Sequence, residues 1–289
     1  MIFLDAAKTR EALPMADAVE SMREAFSPDV EMPLRTQLGS SLFMPGRVGS
    51  VSGVKVVSVV PGNPVGIVAI FDGDGNAVGL VDGPTLTAIR TGAVSGLATD
   101  LLASKSASRM AMLGAGAMAH DQIEGIRSVR DLEEILVWSR DSEHAAALAA
   151  RVSGRVTLDA DEAVASADIV SCATPSISPL FHNDSVRPGV HINAVGSFRP
   201  DMVEVPADTV NRAFVVVDDY DAAAAEAGDL IQADRIANAS LAQVLTGDHP
   251  AIGEDVTFFK SVGVSSQDVA AGHRALVNAA SSGIGVVIG

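Results

Sequence analysis

A chain of 289 residues, 48% hydrophobic and 19% charged, has the composition of a folded globular protein and room for two moderate domains. Its net charge of −16, from 20 Lys and Arg against 36 Asp and Glu, argues against nucleic acid or an anionic membrane as partner, since either needs a basic face. Cys172 is the single cysteine, which leaves no intrachain disulfide and no thiolate metal cage. The first 15 residues, with Asp5 inside a very short apolar run, do not read as a signal peptide, and the apolar stretch 54–71 is interrupted by Lys55, Pro61, Gly62, Asn63 and Pro64. Cytoplasmic residence is the expectation. His120, His182, His191 and His273 lack ligand spacing, so no metal site is expected and each reads as a surface or turn histidine.

Residues 16–26 place Ala18, Val19, Met22 and Phe26 on one helical face, with Asp17, Glu20, Arg23 and Glu24 off it, which predicts a scaffold helix. MPLR follows at 32–35 as a short extended segment, and by spacing alone Arg35 reads as a solvated surface charge. Strands are predicted at 54–60, 65–71 and 77–81, with Asp72 to Asn76 as the turn between the last two. That turn lacks the remaining ligands of a calcium loop. Lys55 stands out in GVKVVSVV, because a lysine in an apolar strand is costly unless its ammonium reaches water, a carboxylate or a ligand. Snorkelling at a strand edge would meet the same need. Residues 84–103 predict a long helix whose small residues permit close backbone approach, with Arg90 near its start as either a solvated edge or a functional cation.

From Ser106 strands and helices alternate, the mark of a doubly wound parallel sheet. Strands are predicted at 110–113, 134–138, 168–172, 190–194 and 214–217, and helices at 121–129 and 142–152. The first strand runs into Gly114-Ala115-Gly116-Ala117-Met118-Ala119, a G-x-G-x-x-A pattern. Gly114 permits the sharp turn, Gly116 leaves room for a pyrophosphate, and Ala119 lets the helix pack close to the strand, while free N–H groups at the helix start face the phosphates. The second strand ends in Ser139-Arg140-Asp141. A small residue and a guanidinium suit a 2′-phosphate and so point to NADP(H), whereas Asp141 keeps NAD(H) open. Segments 172–175 and 193–197 fall beyond strand ends, where open α/β sheets bind ligands. Residues 255–263 read as one more strand and turn, and a closing helix at 267–280 is expected to pack back on the first domain.

In their order along the chain, LPMADAVESMREAF, MPLR, LFMP, GVKVVSVVPGNP, LTAIRTGAVSGLATDLLA, LGAGAMA, ATPS, NAVGSFRPDMVEV and TFFKSVG resemble the ornithine cyclodeaminase/mu-crystallin family. The resemblance implies an α/β fold in which a Rossmann-type doubly wound domain, 107–265, is inserted in a split α+β domain, 1–106 with 266–289, that binds substrate and forms a homodimer. It assigns Arg35 and Arg90 to the substrate carboxylate and Lys55 to proton transfer. Two guanidiniums can clamp an α-carboxylate, and a lysine between cations has a lowered pKa. It places the cofactor, NADP(H) preferred and NAD(H) possible, against Gly114, Gly116, Ala117, Met118, Ser139, Arg140, Thr174, Asn193, Ala194, Val195, Val262 and Gly263. Met118 replaces a glutamine common in the family's turn, a tolerable change where backbone amides bind the phosphates.

One departure bears on the reaction. Cyclodeaminases of the family carry an aspartate after paired glycines to engage a distal amine, where this chain has Phe198 within GSFRPD. Leu42 likewise stands where the cyclodeaminase pattern tends to be acidic. The resemblance therefore implies an NAD(P)H-dependent reductase of small α-imino acids, of the ketimine or pyrroline-2-carboxylate type. The alternatives are ornithine cyclodeamination, alanine dehydrogenase-like reductive amination, and a non-catalytic mu-crystallin-like NADPH-binding protein.

Overall fold

The computed structural model describes residues 1–60, 65–253 and 255–289. The PGNP end of the GVKVVSVVPGNP motif, 61–64, lies outside them. The chain divides into two compact units, Met1–Val94 with Val264–Gly289, and Ser95–Gly263. The first division falls inside a single helix.

In chain order the first unit contains β1 (Ile2–Leu4), α1 (Ala6–Ala12), α2 (Met15–Ala25), β2 (Val30–Glu31), β3 (Thr36–Leu38), β4 (Ser41–Val48), β5 (Val51–Ser58), β6 (Gly66–Phe71), β7 (Ala77–Asp82) and the start of α3 (Gly83–Leu102). The second holds β8 (Arg109–Leu113), α4 (Ala119–Arg127), β9 (Glu134–Trp138), α5 (Ser142–Val152), β10 (Arg155–Val156), α6 (Ala160–Ser166), β11 (Ile169–Cys172), β12 (His191–Ala194), α7 (Ala207–Arg212), β13 (Phe214–Val217), α8 (Tyr220–Glu226), α9 (Gly228–Gln232), β14 (Ala239–Ser240), α10 (Leu241–Thr246) and β15 (Thr257–Lys260). The chain then returns to the first unit as α11 (Ser265–Ser282) and β16 (Val286–Val287).

The first sheet runs β16-β1-β7-β6-β5-β4-β2, with β3 on β4, and its centre is the expected antiparallel meander. Asp72 builds the tip of the β6–β7 turn by accepting from the N–H groups of Asp74 and Asn76. The sequence reading starts β5 three residues late, because Val51, Ser52 and Gly53 look like loop, yet Ser52 and Gly53 pair with Phe71 and Ile70. It misses β4 altogether. Pro45 and Gly46 disguise that strand, although both hold register against Val54 and Gly53. On this sheet lies α11, packed against β4, β5 and β6 and against α2, as expected for the closing helix.

The second sheet is all parallel, in the order β10-β9-β8-β11-β12-β15-β13-β14, with helices in the connections. Its apolar strands are buried on both faces, which is why they read as continuous hydrophobic runs rather than alternations. Met110, Met112, Ile135 and Val137 pack with Ala119, Ile123 and Ile126 of α4 and with Leu148 and Val152 of α5. Cys172 closes β11 fully buried, and burial pushes its thiol well above the ordinary range. His191 corrects the expectation of a surface or turn histidine: it is fully buried in β12, with Nδ1 against Thr257 Oγ1 at 2.9 Å and Nε2 against Asn193 Oδ1 at 3.2 Å. Burial lowers its pKa to about 3, so the ring is a neutral hydrogen-bonding core residue. No helix among the described residues is long and apolar enough to cross a membrane.

Candidate active site

In the first unit three elements, β5, α3 and α11, deliver charge to one buried point. Lys55 sits mid-strand in β5, opposite Met44 of β4 and Val68 of β6, with only 3% of its surface exposed. A buried ammonium with apolar cross-strand neighbours requires an anion, and the first turn of α11 supplies one: Lys55 Nζ lies 2.8 Å from Asp268 Oδ2. Arg90, from α3 and also buried, donates from Nε to Asp268 Oδ1 at 3.1 Å and from Nη1 to Gln267 Oε1 at 2.6 Å. Arg35, half-buried before β3, is close enough to repel the Lys55 charge. Burial is the largest influence on Lys55. Together with Arg90 and Arg35 it overcomes the pull of Asp268 and brings the ammonium down to about 8.

Two buried cations thus share one carboxylate, with Arg35 near enough to act on Lys55. Gln267 Nε2 is buried with no hydrogen-bond partner among the described residues, and its amide is oriented by the bond that its oxygen accepts from Arg90. Two buried cations on one acid, beside an unused amide donor, can hold a further anion such as a carboxylate.

In the second unit register does the assembling. Trp138, Leu113, Cys172, Ala194, Lys260 and Val217 form one row across the sheet as the last residues of β9, β8, β11, β12, β15 and β13. All the predicted cofactor residues lie in the last two residues of those strands or just beyond them, at the carboxyl edge where open parallel sheets bind ligands. Gly114 has φ +110, and a Cβ there would meet Ala173 O at 2.8 Å, so only glycine makes this turn. Gly116 and Ala117 are exposed and Met118 is half-buried; a Cβ on Gly116 would meet nothing within 4 Å. The start of α4 has no side-chain cap. Uncapped amides beside open space fit a pyrophosphate, and buried Ala119 lets α4 approach the sheet.

The other loops at this edge are fastened by buried acids that sequence reasoning misses. Glu204 accepts from Thr174 N at 2.6 Å and Thr174 Oγ1 at 2.9 Å with one oxygen, and from Gly196 N at 2.8 Å and Ser197 N at 3.0 Å with the other. The approach is so close that a Cβ on Gly196 would strike Thr174 backbone and lie 2.6 Å from Glu204 Oε1. Burial pushes the Glu204 carboxyl upward while Lys260 and the Thr174 donors pull it down. Asp229 accepts from Glu204 N and Val205 N, from Ser197 Oγ, and pairs with fully buried Lys260 at 2.9 Å. Asp218 holds the turn after β15 by accepting from Ser261 Oγ at 2.8 Å, Val262 N at 3.0 Å and Gly263 N at 2.7 Å.

Side chains at the remaining positions are disposed differently. Asn193 is turned into the core, donating to Thr99 Oγ1 at 3.0 Å, and Ala194 is buried, so these positions offer a ligand chiefly backbone. Val195 donates its N–H to Cys172 O. Ser139 is half-buried and Arg140 is exposed at the end of β9. Asp141 spends its carboxylate on the N–H groups of Glu143 and His144 as the N-cap of α5.

An all-parallel sheet with a glycine turn at its carboxyl edge defines the dinucleotide-binding class. The chain belongs to the ornithine cyclodeaminase/mu-crystallin family, whose model matches residues 6–282. It is 35% identical over 281 residues to a Δ(1)-pyrroline-2-carboxylate reductase of Bacillus cereus, covering 88% of this chain and 86% of the other. It is 34% identical over 216 residues to the ketimine reductase mu-crystallin of Mus musculus, covering 74% and 69%. Among solved structures it is similar to Thermococcus litoralis Δ(1)-pyrroline-2-carboxylate reductase in complex with NADH and L-proline, with a TM-score of 0.92, 28% identity and complete coverage of both chains.

Proposed function

We propose that this chain is an NAD(P)H-dependent reductase of small α-imino acids, cyclic ketimines such as pyrroline-2-carboxylate foremost. The observation that carries the reading is the buried pair of cations, Lys55 and Arg90, on the single carboxylate of Asp268, beside a buried Gln267 amide that donates to no described residue. Relatives named for the same chemistry support it. Arg90 and Arg35 hold the substrate carboxylate through charge-assisted hydrogen bonds and so fix the adjacent carbon. Lys55, an ammonium at neutral pH, donates a proton to the imine nitrogen and is left as the amine. The nicotinamide cofactor, when bound, supplies the hydride that reduces the imine carbon. Gly114, Gly116, Ala117 and Met118 receive its pyrophosphate, with Thr174, Asn193, Ala194, Val195, Val262 and Gly263 lining the rest of its path.

NADP(H) is the preferred form in this reading. Ser139 and Arg140 suit a 2′-phosphate, and the acid that would bind a free ribose hydroxyl, Asp141, is engaged as a helix cap. Phe198 offers no carboxylate for a distal amine, which favours imine reduction over ornithine cyclodeamination. A homodimer resident in the cytoplasm completes the proposal, and sedimentation checks its assembly. The deciding experiment follows NADPH and NADH oxidation with pyrroline-2-carboxylate, other cyclic ketimines, and pyruvate plus ammonia, and ammonia release from ornithine. Oxidation with ketimines alone is the expected result. Tight NADPH binding without turnover on any of these would leave a binding protein instead.

A further inference from the structure

We infer that Asp268 is the positioning residue of the carboxylate site, its two oxygens tying the Lys55 ammonium and the Arg90 guanidinium to one point at the start of α11. The inference rests on the functional reading above and adds to it the group that prepares both cations for an incoming acid.

The geometry is specific. Asp268 is fully buried, and each oxygen serves a different cation, Oδ2 to Lys55 at 2.8 Å and Oδ1 to Arg90 Nε at 3.1 Å. Gln267, the preceding residue, takes Arg90 Nη1. Two of the three guanidinium nitrogens, Nε and Nη1, are therefore held by two consecutive residues of α11, which fixes the plane of the group and presents Nη2 to a further acceptor. Asp268 also makes the cluster tolerable when no substrate is bound, because two buried like charges, Lys55 and Arg90, without an anion would drive Lys55 to its neutral form.

The charged groups that face Lys55 are Asp268 from α11, Arg90 from α3 and Arg35 from the segment before β3, while the flanking strands present Met44 and Val68. Of these only Asp268 favours the ammonium. Its loss should drop the Lys55 pKa from about 8 and raise the positive charge of the cluster. The two effects separate in kinetics. Asp268→Asn should hold or tighten KM for the imino acid while kcat at pH 8 falls about fivefold or more, and the alkaline limb of kcat/KM should move down by at least one pH unit. Asp268→Glu, which keeps the charge, should restore the limb even where the rate stays low. A limb that does not move in Asp268→Asn, or a KM that rises as far as kcat falls, would overturn the inference.

A second measurement needs no turnover. The chain has only four lysines, so lysine labelled at Cε and Nζ gives a simple NMR titration in which Lys55 is assigned by its loss in Lys55→Met. The expected Lys55 midpoint lies near 8 in the native protein and at or below 7 in Asp268→Asn. An unmoved midpoint sinks the role of Asp268 whatever the enzyme reduces. A moved midpoint in a protein that reduces no imino acid upholds the positioning role and sinks the functional reading alone.

Discussion

Two buried charged clusters, one in each unit, are built on opposite plans. In the second unit Glu204, Asp229 and Asp218 each collect backbone N–H groups from their own chain, and the one buried ammonium beside them, Lys260, is paired with Asp229 and donates to Ser197 Oγ. In the first unit the buried Lys55 and Arg90 share one acid, Asp268, and a buried amide donor has no acceptor among the described residues. A cluster that satisfies itself reads as architecture; one with two cations on a single acid and a spare donor is the candidate binding site. The distinction comes from hydrogen-bond accounting rather than from burial, which is equally deep in both.

If the contrast is right, substitutions in the two clusters should separate activity from stability. Lys55→Met should cut kcat for imine reduction by about 10²–10⁴-fold, the range of a lost general acid, and leave NADPH affinity within about twofold. It leaves Asp268 Oδ2 without its cation but keeps Asp268 paired with Arg90, so its thermal midpoint should fall less than that of Glu204→Gln, and a larger fall would break the contrast. Arg90→Lys keeps the charge but not the fork, so KM for the imino acid should rise about 100-fold, on the order of 3 kcal/mol, in steady-state assays. Glu204→Gln should act on the other axis. Its amide faces two N–H donors with no acceptor to offer, which should lower unfolding stability by about 2 kcal/mol in urea and weaken NADPH binding in parallel. Arg140→Ser should weaken NADPH about tenfold by fluorescence titration while NADH changes little. Native kcat/KM for reduction should decline above about pH 8, as the ammonium of Lys55 is lost, and a flat profile to pH 9 would remove it as the proton donor.

Much of this was legible in the sequence, and the gaps have physical reasons. The parallel strands announce themselves as apolar runs, and the glycine turn identifies its own edge of the sheet. Lys55 is conspicuous because an ammonium in an apolar strand needs an explanation, and Lys260 in TFFKSVG carries the same signal. Asp268 was invisible as a partner. It is 213 positions from Lys55 and 178 from Arg90, and at the start of a helix an acid already has a local reason to be there. Glu204 and Asp218 are hidden differently, since most of their partners are backbone amides that leave no mark on residue identity. Pro45 concealed β4 because a residue that cannot donate to a ladder reads as a break.

Cys172 has a practical corollary. Closed between Leu113 and Ala194 in the middle of the parallel sheet, with its thiol held far from ionisation, it will not compete for maleimide reagents in the folded protein. A single cysteine introduced anywhere on the surface is then a unique attachment point for a fluorophore or spin label, on a chain that otherwise keeps every native residue.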